Sequence, residues 1–326
     1  MYLGNYELNK FVLLTGAGFT RDFGGFLANE IWALIFNSPA LKDYPRIKSL
    51  MQNDFDYESI YYKVIDSNNF GEKEKKAFTN AVRDAYGSLD NKILAYKRGD
   101  HPVSIADINQ FIERFAGHHG KKGFFFTLNQ DLFIERYCRP SNYTPITFGA
   151  AHRPNHSERA LEGSDHVNLP SSIDEIKDNR LASIDFLYVK LHGSFHWKSH
   201  EVSDKMVIGM DKEKQIQGEP LLNYYFDCFK EILSKNDIRL LIIGYGFGDE
   251  HINEVIGESI KNNNLRLYVL NPSNPEKFKN DLHRDKPHGE RIWNGLTGYY
   301  PYSLSQVFPG VETVEYKLIQ DSYFNA

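Results

Sequence analysis

Runs of consecutive apolar residues recur along the chain and predict buried strands. Five have strand length, at residues 11–14, 124–127, 186–191, 240–244 and 265–270. Their apolar character is continuous rather than alternating, which is typical of strands in a parallel sheet that is covered on both faces. We therefore expect a parallel sheet between two layers of helices.

Amphipathic helical patterns separate several of these runs. Residues 26–36 follow the first run, residues 221–236 precede the fourth, and residues 249–263 connect the fourth to the fifth. Strand, helix and strand in succession imply right-handed βαβ units. The predicted fold class is α/β, a Rossmann-like doubly wound parallel sheet with a helical insertion.

The amino-acid composition of the chain changes after the first helical pattern. Residues 37–117 are polar, rich in Lys and Asp, and show few strand signals, so they predict the helical insertion. The main domain is then discontinuous, with residues 1–36 and 118–290, and residues 291–326 form a C-terminal extension. Residues 140–178 are rich in Asn, His, Pro, Ser and Asp and predict a long loop region.

Composition and charge narrow the class of function. The chain has 326 residues, 41% of them apolar, and a formal charge of −5, which argues against direct nucleic-acid binding through a dense Lys/Arg surface. The two cysteines, Cys138 and Cys228, exclude a disulfide framework and a four-cysteine zinc site. We see no signal-peptide pattern and no membrane-spanning run, and therefore expect a cytoplasmic protein.

A glycine turn follows the first predicted strand in the stretch LLTGAGFT. There Gly16 and Gly18 would let the backbone approach a phosphate group, and Thr20 adds a hydroxyl donor. The spacing is not the full GxGxxG, because Arg21 stands where the third glycine would be. By itself, the turn is as typical of a tight strand-to-helix connection as of a cofactor loop.

Small or polar residues also follow three more of the predicted strands. They are Asn129 and Asp131 after the second, His192 and Ser194 after the third, and Gly244, Phe247 and Asp249 after the fourth. Because the carboxyl ends of the strands form the binding crevice of an open α/β sheet, we expect one shared site. Structural alternatives exist: His192 could bond to a carbonyl, Asn129 could form a turn, and Asp249 could cap the next helix.

The motifs TGAGFT, TLNQD, KLHGS and IIGYGFGDEHIN, followed by VLN, occur in that order and resemble the sirtuin (silent information regulator) domain. The likeness is greatest to the bacterial sirtuin-like branch found in antiphage defence. It covers the strand framework and most of the chain apart from the helical insertion and the C-terminal tail. The resemblance implies that the site binds NAD as a substrate.

The resemblance also implies a role for each matching residue. Asn129 and Asp131 would lie beside the nicotinamide ribose, and His192 would be the catalytic histidine. The candidate NAD-binding residues are Gly16, Ala17, Gly18, Thr20, Arg21, Asp22, Ser194, Gly244, Phe247 and Asn271. Within that set the glycine turn would hold the diphosphate, and Asn271 would face the adenosine ribose.

Two departures from the sirtuin pattern favour NAD hydrolysis over protein deacylation. Deacylating sirtuins carry a four-cysteine zinc module shortly after HGS, whereas residues 195–216 contain no cysteine. The first loop, RDFGGF, is also shorter than its counterpart in the deacylases. We therefore expect no zinc, and the histidines of the chain show no metal-ligand spacing.

The sequence thus predicts an NAD glycohydrolase that releases nicotinamide and ADP-ribose. Water would be the nucleophile, His192 would accept a proton, Asn129 would orient the water or the ribose, and Asp131 would fix the carboxamide or stabilise positive charge. The alternatives are an NAD-dependent protein deacylase and a non-catalytic NAD or ADP-ribose sensor. The resemblance further implies a homo-oligomeric effector of antiphage defence, gated by a partner such as a hexameric HerA-type ATPase.

Overall fold

A computed structural model of the chain describes residues 6–96, 102–138, 145–147, 166–176, 184–199, 206–209 and 211–325. Most of the predicted loop region at 140–178 lies outside the described residues.

Six parallel strands form the central sheet. They are β1 (Leu8–Thr15), β2 (Lys122–Thr127), β4 (Phe186–Lys190), β6 (Arg239–Ile243), β7 (Arg266–Leu270) and β8 (Leu296–Tyr300), and a separate small sheet pairs β3 (Val167–Asn168) with β5 (Trp197–Lys198). The order across the large sheet is β4-β2-β1-β6-β7-β8, with every neighbouring pair parallel. The chain starts in the middle and winds outward in both directions, so the strand order reverses between β1 and β6.

Helices cover both faces of this sheet. They are α1 (Ala17–Thr20), α2 (Ala28–Phe36), α3 (Pro45–Asn53), α4 (Tyr57–Ile65), α5 (Glu72–Leu94), α6 (Ile105–Glu113), α7 (Phe133–Tyr137), α8 (Ile173–Ile176), α9 (Lys212–Gln217), α10 (Pro220–Leu233), α11 (Glu250–Asn263), α12 (Pro275–Asp285), α13 (Gly289–Asn294), α14 (Leu304–Val307) and α15 (Val314–Ile319), with short 3₁₀ turns at Arg21–Phe23 and Pro39–Leu41 and a π-helical turn at Gln320–Phe324.

Strand β1 shows how the two helical layers share the sheet. Its side chains alternate, so Leu13 belongs to one apolar core, whereas Val12 and Leu14 belong to the other. The first core includes the helices of the predicted insertion and the C-terminal segment, and the second includes α10 and α11. The predicted α/β fold with a doubly wound parallel sheet is confirmed.

The predicted insertion is helical, with α3, α4, α5 and α6 inside residues 37–117. Its buried side chains, such as Ile60 and Phe78, share a core with Leu13 and Phe125 of the sheet. The segment after residue 290 contributes β8, which the sequence did not predict because this edge strand is only partly buried and lacks a continuous apolar run. The domain boundaries at residues 36, 117 and 290 stay predictions.

The turns after β1 and β6 contact each other backbone to backbone. The Gly16 N–H donates to the carbonyl at the end of β6 at 3.0 Å, and the Gly18 N–H donates to the Gly244 carbonyl at 2.9 Å. A Cβ on Gly16 would lie 2.7 Å from Tyr245 Cα, and one on Gly18 would lie 2.8 Å from Gly244 Cα. The close approach of the two turns therefore requires these glycines. The same contact also engages the Gly16 and Gly18 N–H groups, which were expected to face a phosphate.

Replacing Gly244 by alanine is expected to lower the free energy of unfolding by about 2 kcal/mol or more. The new Cβ would lie 2.1 Å from Phe19 N, and alanine would have to adopt a φ of +69°. Gly246→Ala in the same loop is the matched control, because a Cβ there meets no atom within 4 Å. Urea denaturation of both variants measures the difference, and equal stability would contradict this role of Gly244.

Candidate functional site

A cleft of about 750 Å³ lies at the carboxyl edge of the sheet. It is centred on the gap between β1 and β6, where the strand order reverses and where open α/β sheets bind their ligands. The cleft brings together most of the predicted site residues: Gly16, Ala17, Gly18, Thr20, Arg21, Asp22, Asn129, Asp131, His192, Gly244 and Asn271. The expectation of one shared crevice at the strand ends agrees with this geometry.

Two predicted residues, Ser194 and Phe247, do not line the cleft. Ser194 is fully buried, and its hydroxyl lies 3.2 Å from the Gln130 carbonyl oxygen and 2.9 Å from His196 Nδ1. Phe247 is also fully buried, and its ring packs against Tyr245. Both side chains pack behind the cleft lining, and their role in binding NAD stays a prediction.

Asn129 and His192 line the cleft with little of their surface exposed, 8% and 4% respectively. The Asn129 N–H donates to Thr127 Oγ1 at 3.0 Å, which fixes the start of the loop after β2. His192 follows β4 directly and occupies the same edge. A ligand in the cleft would therefore meet two side chains that are largely shielded from solvent.

The His192 ring contacts a second histidine, His251. The two Nε2 atoms are 3.2 Å apart, and the ring centroids are 5.3 Å apart. Burial lowers the pKa of His192 to about 3, although the Asp249 carboxylate opposes this shift. Burial likewise lowers the pKa of His251. Both imidazoles are therefore neutral near pH 7, and a neutral imidazole can accept a proton.

Asp131 connects the glycine turn to the loop after β2. Its Oδ2 accepts from the Thr20 hydroxyl at 3.0 Å, and its Oδ1 accepts from the Phe133 N–H at 3.0 Å. Burial raises the pKa of Asp131 to about 6, against the opposing charge of Lys190. In this structure the Thr20 hydroxyl therefore donates its hydrogen bond to Asp131, whereas the sequence suggested a phosphate as its acceptor.

Asp249 stands at the N-cap position of α11, but its side chain makes no capping hydrogen bond. Its Oδ1 instead lies 2.6 Å from Lys212 Nζ, and the same ammonium lies 2.6 Å from Glu58 Oε2 on α4. Burial favours the neutral carboxyl, but the neighbouring His192 and Lys212 outweigh it and lower the pKa of Asp249 to about 2. The capping alternative for this side chain is wrong, and a buried ion network takes its place.

Several polar residues in and around the site were not predicted from the sequence. His251 stands two positions after Asp249 in the same motif, and Lys190 ends an otherwise apolar strand. The neighbouring sequence could therefore have identified both residues as candidates. Lys190 Nζ lies 2.9 Å from Glu135 Oε1 and also donates to the Asp131 carbonyl oxygen. The sequence around Glu58 and Lys212 gives no indication of a site, because only the folded chain brings the insertion to the cleft.

Among the described residues, no group of three or more His, Cys, Asp or Glu side chains is arranged to hold a metal ion. A helix long and apolar enough to cross a membrane is likewise absent from the part of the chain that the structure describes.

Comparison with known proteins was made at the level of families and of single proteins. Residues 123–293 match the family model of the SIR2-like domain. The match contains Asn129, Asp131, His192, Gly244 and Asn271, and it begins after the glycine turn. No curated protein matches the chain. Because the match spans more than half of its residues, the chain belongs to the SIR2-like domain family.

Proposed function

We propose that this protein is an NAD glycohydrolase, which uses water to cleave the bond between nicotinamide and ribose and releases nicotinamide and ADP-ribose. One observation carries the proposal. The cleft at the strand-order reversal of a SIR2-like domain is lined by both Asn129 and His192, and burial keeps this histidine neutral.

We assign each part of NAD to a part of the cleft. Its volume lies within the range of small-molecule sites. The adenosine would lie after β7, where Asn271 Oδ1 accepts from the Ser273 N–H at 2.8 Å, which leaves the Asn271 amide group to donate to a ribose hydroxyl. The diphosphate would cross the turn at Ala17, and the nicotinamide ribose would reach Asn129 and His192.

The chemistry assigns one task to each polar side chain. Departure of neutral nicotinamide from NAD leaves positive charge on the ribosyl carbon, as in glycoside cleavage generally. Water attacks this carbon, and His192 takes the proton that the water loses, while Asn129 orients the water through its amide. Asp131 has both oxygens engaged, so we assign it the placement of the two loops and a negative potential that favours the cationic transition state.

The wall contributed by the insertion favours a small substrate over an extended acyl-peptide. Tyr57, Glu58 and Tyr86 all line the cleft from α4 and α5. Glu58 is also held by Lys212, which itself belongs to the cleft wall. A segment of protein chain would have to displace this wall, whereas NAD would fit beneath it.

Product analysis by NMR tests the proposal and separates it from its two alternatives. Purified protein is incubated with NAD, with and without an acetyl-lysine peptide. The proposal expects nicotinamide and ADP-ribose in equal amounts, whether or not the peptide is present. Release of nicotinamide that depends on the peptide would establish a deacylase. Recovery of intact NAD from a stable complex would establish a sensor.

We further propose that the enzyme acts as a gated, NAD-depleting effector of antiphage defence in the cytoplasm. Support comes from the resemblance to the bacterial sirtuin-like branch and from the harm that unchecked NAD hydrolysis would do to the host. A homo-oligomer assembled with a HerA-type ATPase would supply the gate by raising NAD hydrolysis above a measurable basal rate of the purified protein alone. Sedimentation as a strict monomer that hydrolyses NAD at full rate without a partner would contradict this extension.

A further inference from the structure

A second buried histidine lies behind His192. His251 belongs to the first turn of α11, is 8% exposed, and is not among the residues that line the cleft. Its ring contacts His192 through the Nε2 atoms at 3.2 Å and packs edge-on against Phe226, with 5.5 Å between the ring centroids. His251 therefore touches the candidate catalytic histidine without touching the space where a ligand would lie.

The contact between the two rings constrains where their protons can be. In a hydrogen bond between neutral imidazoles, one Nε2 carries the proton and the other supplies the lone pair. If His192 Nε2–H donates, His192 Nδ1 carries a lone pair and His251 keeps its proton on Nδ1. The hydrogen bond then selects the tautomer in which His192 Nδ1 is free to take a proton.

We propose that His251 is a positioning residue that fixes the tautomer of His192 and shares the proton that His192 accepts. This inference rests on the proposed function. When His192 Nδ1 takes the proton from the attacking water, the proton on His192 Nε2 moves to His251 Nε2. His192 is then neutral again, and the positive charge lies one ring deeper, on His251.

Charged groups of both signs surround the buried His251 ring. Asp249 and Glu213 attract positive charge, whereas Lys212 and Lys230 repel it. Lys212 is compensated by its ion pair with Glu58 as well as by Asp249. These charges largely offset one another, so burial remains the dominant influence and lowers the pKa of His251, and the inner ring holds the shared proton only transiently.

Two variants of His251 test the proposal. His251→Phe keeps a ring of similar shape but removes both nitrogens, and we expect kcat for NAD hydrolysis to fall by about 10-fold to 100-fold, by analogy with the hydrogen-bond partners of metal-ligating histidines. KM for NAD should stay within about twofold, because His251 does not line the cleft. His251→Gln can still hydrogen-bond to His192 and should recover part of the lost kcat.

The matched control is Phe226→Leu, which alters the packing on His251 but leaves the contact with His192. It should keep kcat within about threefold of the parent, since it removes no hydrogen-bonding group. A parental kcat in His251→Phe would overturn the proposal. An equal loss of kcat in His251→Phe and Phe226→Leu would also overturn it, because packing alone would then explain the effect.

A readout independent of activity separates this inference from the proposed function. ¹⁵N NMR of histidine-labelled protein should show His192 as a single fixed tautomer with an unprotonated Nδ1, and as a mixture of tautomers in His251→Phe. A mixture in the parent protein overturns the inference even where NAD is hydrolysed. A fixed His192 tautomer that is lost in His251→Phe supports the inference even if the protein does not hydrolyse NAD.

Discussion

Asp90→Ala is expected to destabilise the fold by about 3 to 5 kcal/mol, the usual cost of removing one member of a buried ion pair. Arg136 Nε lies 3.0 Å from Asp90 Oδ1, and Nη2 lies 2.6 Å from Oδ2, so the pair is bidentate. The Arg136 side chain is fully buried. The alanine variant would therefore remove a bidentate carboxylate partner from a buried guanidinium between α5 and α7.

Chemical denaturation measures this effect against two further variants. The double variant Asp90→Leu with Arg136→Met removes both charges and should recover much of the lost stability. Lys214→Ala breaks an exposed pair with Asp211 and should leave the unfolding midpoint unchanged. If Asp90→Ala unfolds at the same denaturant concentration as Lys214→Ala, the buried pair does not hold the insertion to the sheet.

The sheet could be predicted from the sequence to the extent that its strands are buried on both faces. Continuous apolar runs identified β1, β2, β4, β6 and β7, because a covered parallel strand has no polar side. The edge strand β8 was not predicted, since most of its side chains are only partly buried and its sequence is not a continuous apolar run. The strand order followed only from the structure.

The candidate site could be predicted where its residues follow a strand directly. Asn129 and His192 were found in this way, because the carboxyl ends of parallel strands meet at one edge. The ion network of Glu58, Lys212 and Asp249 could not be found, since its members are far apart in sequence and only packing of the insertion brings them together. An aspartate before a helix looks like a cap until its actual partner is known.

Asn129→Ala and His192→Ala are each expected to slow NAD hydrolysis by about 100-fold to 10,000-fold, the usual contribution of a positioned acid or base. Asn129→Ala removes the amide that orients water or ribose, and His192→Ala removes the proton acceptor. Both side chains lie in the cleft wall at the ends of β2 and β4. The loss should therefore appear mainly in kcat.

The two substitutions should differ in their effect on stability. His192→Ala removes a buried ring that packs on His251 and is expected to cost about 1 to 3 kcal/mol. Asn129→Ala removes a smaller side chain and should cost less. Asn91→Ala, on the exposed face of α5, is the matched control and should preserve both rate and stability. A parental rate in both cleft variants would return Asn129 and His192 to purely structural roles.

The rate of nicotinamide release from NAD by the parent protein and by Asn129→Ala, at equal concentrations of folded protein, tests the central claim most directly. The amide of Asn129 lies in the cleft at the strand-order reversal. Replacing it by hydrogen in Asn129→Ala should therefore leave the core packing largely unaffected. We predict that the parent releases nicotinamide together with ADP-ribose and that Asn129→Ala releases it at least about 100-fold more slowly. Equal release by the two proteins, or NAD that remains intact with the parent, would contradict NAD hydrolysis at this site.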